Sequence, residues 1–341
     1  MNRFGTLGVV LSMLFLVATA ASAQVTNMRV NYVAPATHPT SLVVQHWVQQ
    51  VEKRSNGKIK LRVHYAMELS TVMETLQTLG GGAYEIGFNA PGFFPAQFPL
   101  ASMPSGMMGL TSTVAQAQYY YHEVNNIPAV TAEATANNLK FLYTNAASNY
   151  LPLSRKPVAK LSDLKGTKVR TFGPYFPKHV RHFGGTAVAI PSVEAYDAFA
   201  SGAMDVFPTM ATDHVVYKFA QVAKNLWELK MGTLPWAVMY MNLGVWNKLP
   251  KDMQDVFTQA SVDALKFSPE MWGRREAEEL AKLKQAGVTF HPATPADQAA
   301  WNAHTRTLLN EWLEDMNKAG KGDAARRMLA LIDEIKAKYP N

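Results

Sequence analysis

The sequence predicts a two-lobed α/β protein. Three observations carry this. Strand-like and helix-like patterns alternate along the chain with short connections, the mark of parallel βα units. A second set of such units begins near residue 148, and a strand-like run at 236–242 then returns to the first set. With 341 residues, the chain is long enough for two ordinary domains.

The elements follow in order. Met28 to Tyr32 reads as a strand, followed by a polar loop between Pro35 and Pro39. Thr40 or Ser41 caps a helix that turns Val44, Trp47, Val48 and Val51 to one face. Ser55-Asn56-Gly57 ends it. Ile59, Leu61 and Val63 alternate with Lys60, Arg62 and His64, a half-buried strand. Ser70 or Thr71 starts a helix with Met73, Leu76 and Leu79 inward, stopped by Gly80-Gly81-Gly82. Tyr84 to Phe88 is a strand, and Asn89 to Pro95 is a loop at its carboxyl end carrying Phe93 and Phe94. Residues 113–124 are helical, and Leu139 to Tyr143 is a strand.

In the second set, Lys168 to Thr171 extends as a short strand between Gly166 and Gly173-Pro174. The helix Tyr175 to Phe183 and the strand Ala187 to Ile190 follow. Pro191-Ser192 opens a helix with Ala195, Tyr196 and Phe199 inward, and Gly202 closes it. Met204 to Phe207 is the next strand. An apolar stripe then runs from Met253 to Met271 at helical spacing, through Pro269, which should kink or divide the helix. Thr294-Pro295 starts another helix, and Gly320-Lys321-Gly322 separates the last two.

Composition narrows the function classes. Charged residues make up 17% and hydrophobic residues 48%, which favours packed cores over disorder. The net charge is +7, and there is no basic stripe interleaved with aromatics, so no nucleic acid is expected as partner. Met1 to Ala23 reads as a secretory leader: Arg3, an apolar run from Leu7 to Ala18, and Ala21-Ser22-Ala23 at the cleavage point. A mature chain from Gln24 in the periplasm is the expectation. There is no cysteine, hence no disulfide framework.

Catalytic and cofactor signatures are missing. Gly80 and Gly82 begin a G-x-G, but Glu85 stands where the third glycine belongs. There is no phosphate-binding G-x-x-x-x-G-K-[ST], no nucleophile elbow and no H-E-x-x-H. His179 and His182 sit beside Lys178 and Arg181, so they read as surface histidines rather than metal ligands. No enzyme activity, metal or cofactor is expected.

Arg170 stands out. It falls near the carboxyl end of a short strand, where open α/β sheets bind ligands. Its rigid, permanently charged fork matches a carboxylate. The competing reading is a surface charge or structural ion pair.

Four stretches together resemble one family. They are Val51 to Ile59, Leu161 to Arg170, Glu194 to Asp205, and Trp246-Asn247-Lys248-Leu249-Pro250. In this order they are similar to the DctP-type extracytoplasmic solute-binding proteins of tripartite ATP-independent periplasmic (TRAP) transporters. The resemblance implies a type II periplasmic binding-protein fold, with crossing strands between the lobes and a long kinked helix along both. It places lobe I at 24–147 plus 236–275, and lobe II with the C-terminal helices at 148–235 plus 276–341. It implies a monomer that hands a small organic acid to one small and one large membrane subunit. Arg170 matches the family arginine that grips the carboxylate. Two departures bear on the ligand. Thr209 falls where a ligand-contacting asparagine is common, and Tyr150 falls where sialic-acid members carry a second arginine. Tyr150, Phe93, Phe172, Tyr175 and Trp236 are candidates for an aromatic wall, with Asn89 and Thr209 orienting polar atoms. The expected ligand is a monocarboxylate with an apolar or aromatic body. A binding protein for an ATP-driven importer or a sensor would look alike, and a periplasmic hydrolase is the remaining alternative.

Overall fold

In the computed structural model, which describes residues 25–190 and 194–340, the chain opens with a strand–helix–strand unit. β1 (Thr26–Asn31) and β2 (Ile59–His64) pair in parallel over their whole length. They are joined by α1 (Ser41–Arg54), which buries Val44, Trp47 and Val51. Thr40 stands at its N-cap without donating or accepting a side-chain cap bond. Its hydroxyl pairs instead with the His38 ring. α2 (Thr75–Gly80) leads to β3 (Ile86–Phe88). This helix starts later than the sequence suggests. The Glu74 carboxylate accepts from the Thr71 amide and hydroxyl, holding a turn there, and Met73 is left 62% exposed rather than inward. α3 (Val114–Val124), α4 (Pro128–Ala136) and β4 (Leu139–Ala146) complete this stretch.

β5 (Leu151–Ser154) begins the second lobe. β6 (Lys168–Thr171), α5 (Phe176–His182), β7 (Thr186–Ala189), α6 (Ala195–Ser201) and β8 (Val206–Thr209) follow as βα units. The expected start of α6 at Pro191-Ser192 lies outside the described residues. α7 (Ala211–Val216) and β9 (Asn225–Trp227) lead to β10 (Pro235–Asn242). After α8 (Leu243–Lys248) comes α9 (Lys251–Gln285), 35 residues that run unbroken through Pro269. β11 (Thr289–His291), α10 (Pro295–Lys318) and α11 (Gly322–Lys338) end the chain.

Two sheets result, with strand orders β2-β1-β3-β10-β4 and β11-β9-β5-β8-β6-β7. β10 is antiparallel to both of its neighbours, so the chain re-enters the first sheet from the second. The lobes are therefore joined by the β4–β5 and β9–β10 crossovers, with α9 packed on α1, β4 and α7. α10 packs on α5, while α11 packs on α3. The C-terminal helices thus embrace both lobes.

The sequence reading passes over β5, because Pro152 stands in its middle. Pro152 lies opposite Pro208 of β8. On the other side β9 pairs only from Leu153 onward. No partner at that level needs the missing N–H, so the proline is tolerated in an inner strand.

Candidate ligand-binding cleft

β6 is flanked by β7 and β8. Val169 is fully buried between them. Arg170 follows, only 9% exposed. Its Nε–H donates to the carbonyl of Ile190 at 3.1 Å, which fixes the orientation of the fork. The guanidinium lies over the Phe172 ring at 4.8 Å and the Phe207 ring at 5.1 Å. Burial pulls its pKa down, against the attraction of Tyr150 and Asp213. A buried cation on aromatic faces is costly unless anions face it.

Asp213 is the anion of this neighbourhood. It lies in α7, four residues after Thr209, and is 4% exposed. Its Oδ2 accepts from the Thr209 hydroxyl at 2.5 Å. Its Oδ1 pairs with His38 Nε2 at 3.0 Å. The Nδ1 of His38 accepts from the Thr40 amide at 3.2 Å. That leaves the ring proton on Nε2, so His38 donates to the carboxylate. His38 belongs to the first lobe and Asp213 to the second, and this hydrogen bond ties them together. The imidazole also stacks flat on Trp236, with centroids 5.5 Å apart.

A second contact crosses the cleft at its other side. Phe93 of the first lobe stacks on Phe172 of the second at 6.5 Å, and Tyr150 meets the same ring at 6.1 Å. Here the backbones also approach closely. A Cβ placed on Gly173, which has φ +63°, would come within 3.4 Å of the Gly106 Cα and 3.6 Å of the Gly92 carbonyl. Glycine suits the left-handed turn there.

The expected residues thus divide. Arg170, Tyr150, Phe172 and Phe93 form one connected set, and Thr209 and Trp236 join it through Asp213 and His38. Burial raises the pKa of the Tyr150 phenol, with the Asp213 charge adding and Arg170 opposing. Asn89 is fully buried at the carboxyl end of β3. Its Oδ1 accepts from the Thr75 hydroxyl at 3.0 Å, and its Nδ2 is buried with no hydrogen-bond partner. Tyr175 packs against the core cluster that holds Trp312 and Tyr240, and burial pushes its phenol up to about 12.

His38 and Asp213 were not singled out from the sequence. Their signals were modest: a histidine in a proline-bracketed loop leaving a strand, and an acid one helical turn after Thr209. His179 corrects another expectation. It is fully buried, stacked on Trp301 at 4.4 Å, because its helix face turns towards α10. Among the described residues no group of three or more His, Cys, Asp or Glu is placed to hold a metal ion. No described helix is long and apolar enough to cross a membrane.

Comparison with known proteins agrees with this architecture. A monocarboxylate 2-oxoacid-binding periplasmic protein of Nostoc sp. is 26% identical over 267 residues, covering 76% of this chain and 71% of that one. An extracytoplasmic solute receptor of Bordetella pertussis, solved with pyroglutamic acid, superposes with a TM-score of 0.81 at 18% identity. That match covers 91% of this chain and all of the other. A TRAP solute-binding protein from a marine metagenome, specific for aromatic acids and solved with metahydroxyphenylacetate, also reaches 0.81, at 17% identity. It covers 93% of this chain and 100% of the other. The profile of the DctP family matches residues 30–315, most of the length. The chain belongs to that family, the bacterial extracellular solute-binding proteins of family 7.

Proposed function

We propose that this protein is the periplasmic receptor of a TRAP transporter and captures a monocarboxylate with an apolar or aromatic body. The observation that carries the reading is the Arg170 guanidinium, buried between Phe172 and Phe207 where the two lobes meet. In this reading the ligand's carboxylate docks on the fork while Phe172, Tyr150 and Phe93 enclose its body. The buried amide Nδ2 of Asn89 donates to a ligand oxygen. Asp213 disfavours a second carboxylate at the same end by like-charge repulsion. The His38–Asp213 hydrogen bond forms as the lobes close and excludes water from the charge pair.

The relatives support this class of ligand: a 2-oxoacid for one, pyroglutamate and metahydroxyphenylacetate for two solved neighbours. The leader, Met1 to Ala23, delivers the chain to the periplasm, and the loaded receptor docks on its membrane subunits. Binding involves no covalent step. Nothing is asked of a nucleophile or cofactor.

A thermal-shift screen of aliphatic and aromatic acids tests the proposal. A ligand at a hundred times its Kd stabilises the folded form by about 2.7 kcal/mol, a clear rise in melting temperature. For the ligand found, Arg170→Ala should cost about 2–5 kcal/mol, roughly 30-fold to several thousand-fold in affinity by calorimetry. Unchanged affinity would remove Arg170 as the anchor.

A further inference from the structure

A recess of about 510 Å³ lies at the hinge, lined by none of the eight residues expected to bind the acid. Its walls include Thr111 ahead of α3, Asn149 in the β4–β5 crossover, Gly232 in the β9–β10 crossover, Gly273 and Glu276 on α9, and Gln298 on α10. Every connection between the lobes therefore contributes to one enclosure. Its size falls in the usual range for small-molecule sites, about 300–1,000 Å³.

Its chemistry is opposite to that of the cleft. The half-buried Glu276 carboxylate lies near the Asn149 backbone amide, which favours its charged form. The Asn149 side chain donates to the Ser112 carbonyl at 2.9 Å, and its Oδ1 is buried without a partner. Trp272, also in the wall, has an indole N–H with no acceptor. Gln298 is committed: it accepts from the Lys230 amide and donates to the Lys230 carbonyl. That brace holds Lys230, whose side chain is exposed, at the rim. Burial holds the Glu276 carboxyl above the usual range, with Lys230 opposing. The wall thus offers acceptors for an ammonium and an ammonium at the rim for a carboxylate. An anion alone would place like charge against Glu276.

We propose that this hinge recess is a second small-molecule site, taking a zwitterion of amino-acid to tripeptide size, with its ammonium on Glu276 and its carboxylate on Lys230. Triglycine is a suitable probe for the mature chain, followed by saturation-transfer NMR and calorimetry. Saturable binding is expected, and N-acetyl-triglycine, which lacks the ammonium, should bind at least about tenfold more weakly. Glu276→Gln should weaken triglycine by about the same factor. Gly273→Leu should abolish binding while keeping the fold, because a Cβ there meets nothing within 4 Å. Arg170→Ala should leave binding unchanged, which separates this site from the acid cleft. The proposal fails if folded wild-type chain shows no saturable binding into the tens of millimolar. It also fails if the acetylated probe binds equally, or if Arg170→Ala abolishes binding that Gly273→Leu retains.

Discussion

Arg170 and His38 show how differently two side chains of the cleft announce themselves. The arginine is legible because its position, at the end of a short strand closed by Gly173-Pro174, carries meaning by itself. His38 has meaning only through Asp213, 175 residues away. No local pattern encodes that pairing. His38→Ala should leave the Asp213 oxygen short of its donor at the lobe seam. Removing one partner of a buried hydrogen bond costs about 1–3 kcal/mol. Ligand release in stopped-flow should then accelerate roughly fivefold to a hundredfold. An unchanged release rate would show that this contact does not hold the lobes. Other histidines govern stability. Burial pulls His214 down to about 4 and His179 to about 3. Each therefore binds its proton more readily when unfolded. Their contribution is complete above the unfolded value of 6.5 and is lost as pH falls from there, towards about 4 for His214 and about 3 for His179. The melting temperature should fall across that window. A flat profile between pH 7 and 4.5 would show that these rings do not stay neutral as described.

Among the elements, the amphipathic ones were readable and the proline-bearing or all-buried ones were not. α1 and β2 declare themselves by clean periodicity. β5 is disguised by Pro152, whose placement is acceptable only because of where β8 and β9 sit. The start of α2 was misplaced because Glu74 folds back on Thr71, a side-chain contact that propensity does not register. Of the two outcomes that Pro269 allows in α9, a kink or a division, the helix is not divided. Packing on α1, β4 and α7 outweighs the lost backbone bond, worth about 3 kcal/mol in an isolated helix. Four residues on, Gly273 is a second weak point in the same helix. With open space around its Cβ, Gly273→Ala should raise stability by about 1 kcal/mol, seen as a higher denaturant midpoint. A lower midpoint would mean that the helix needs its flexibility there.

At the scale of the whole molecule, α/β class and two lobes followed from alternation and length, and the return of the chain at 236 was visible as a strand out of sequence. The wrapping of α11 onto α3 was not, since both are amphipathic helices with no mark of partner choice. The re-entry has a consequence for folding. β10 lies between β3 and β4 in the first sheet, so β4 has no inner neighbour until residue 242 exists. A fragment ending at residue 230 should show no cooperative melting transition by circular dichroism, whereas a sharp transition would mean that the first lobe sets alone. β4 is thus made well before the strand that pairs with it, and a polypeptide kept waiting is still pliant enough to be threaded through a narrow opening.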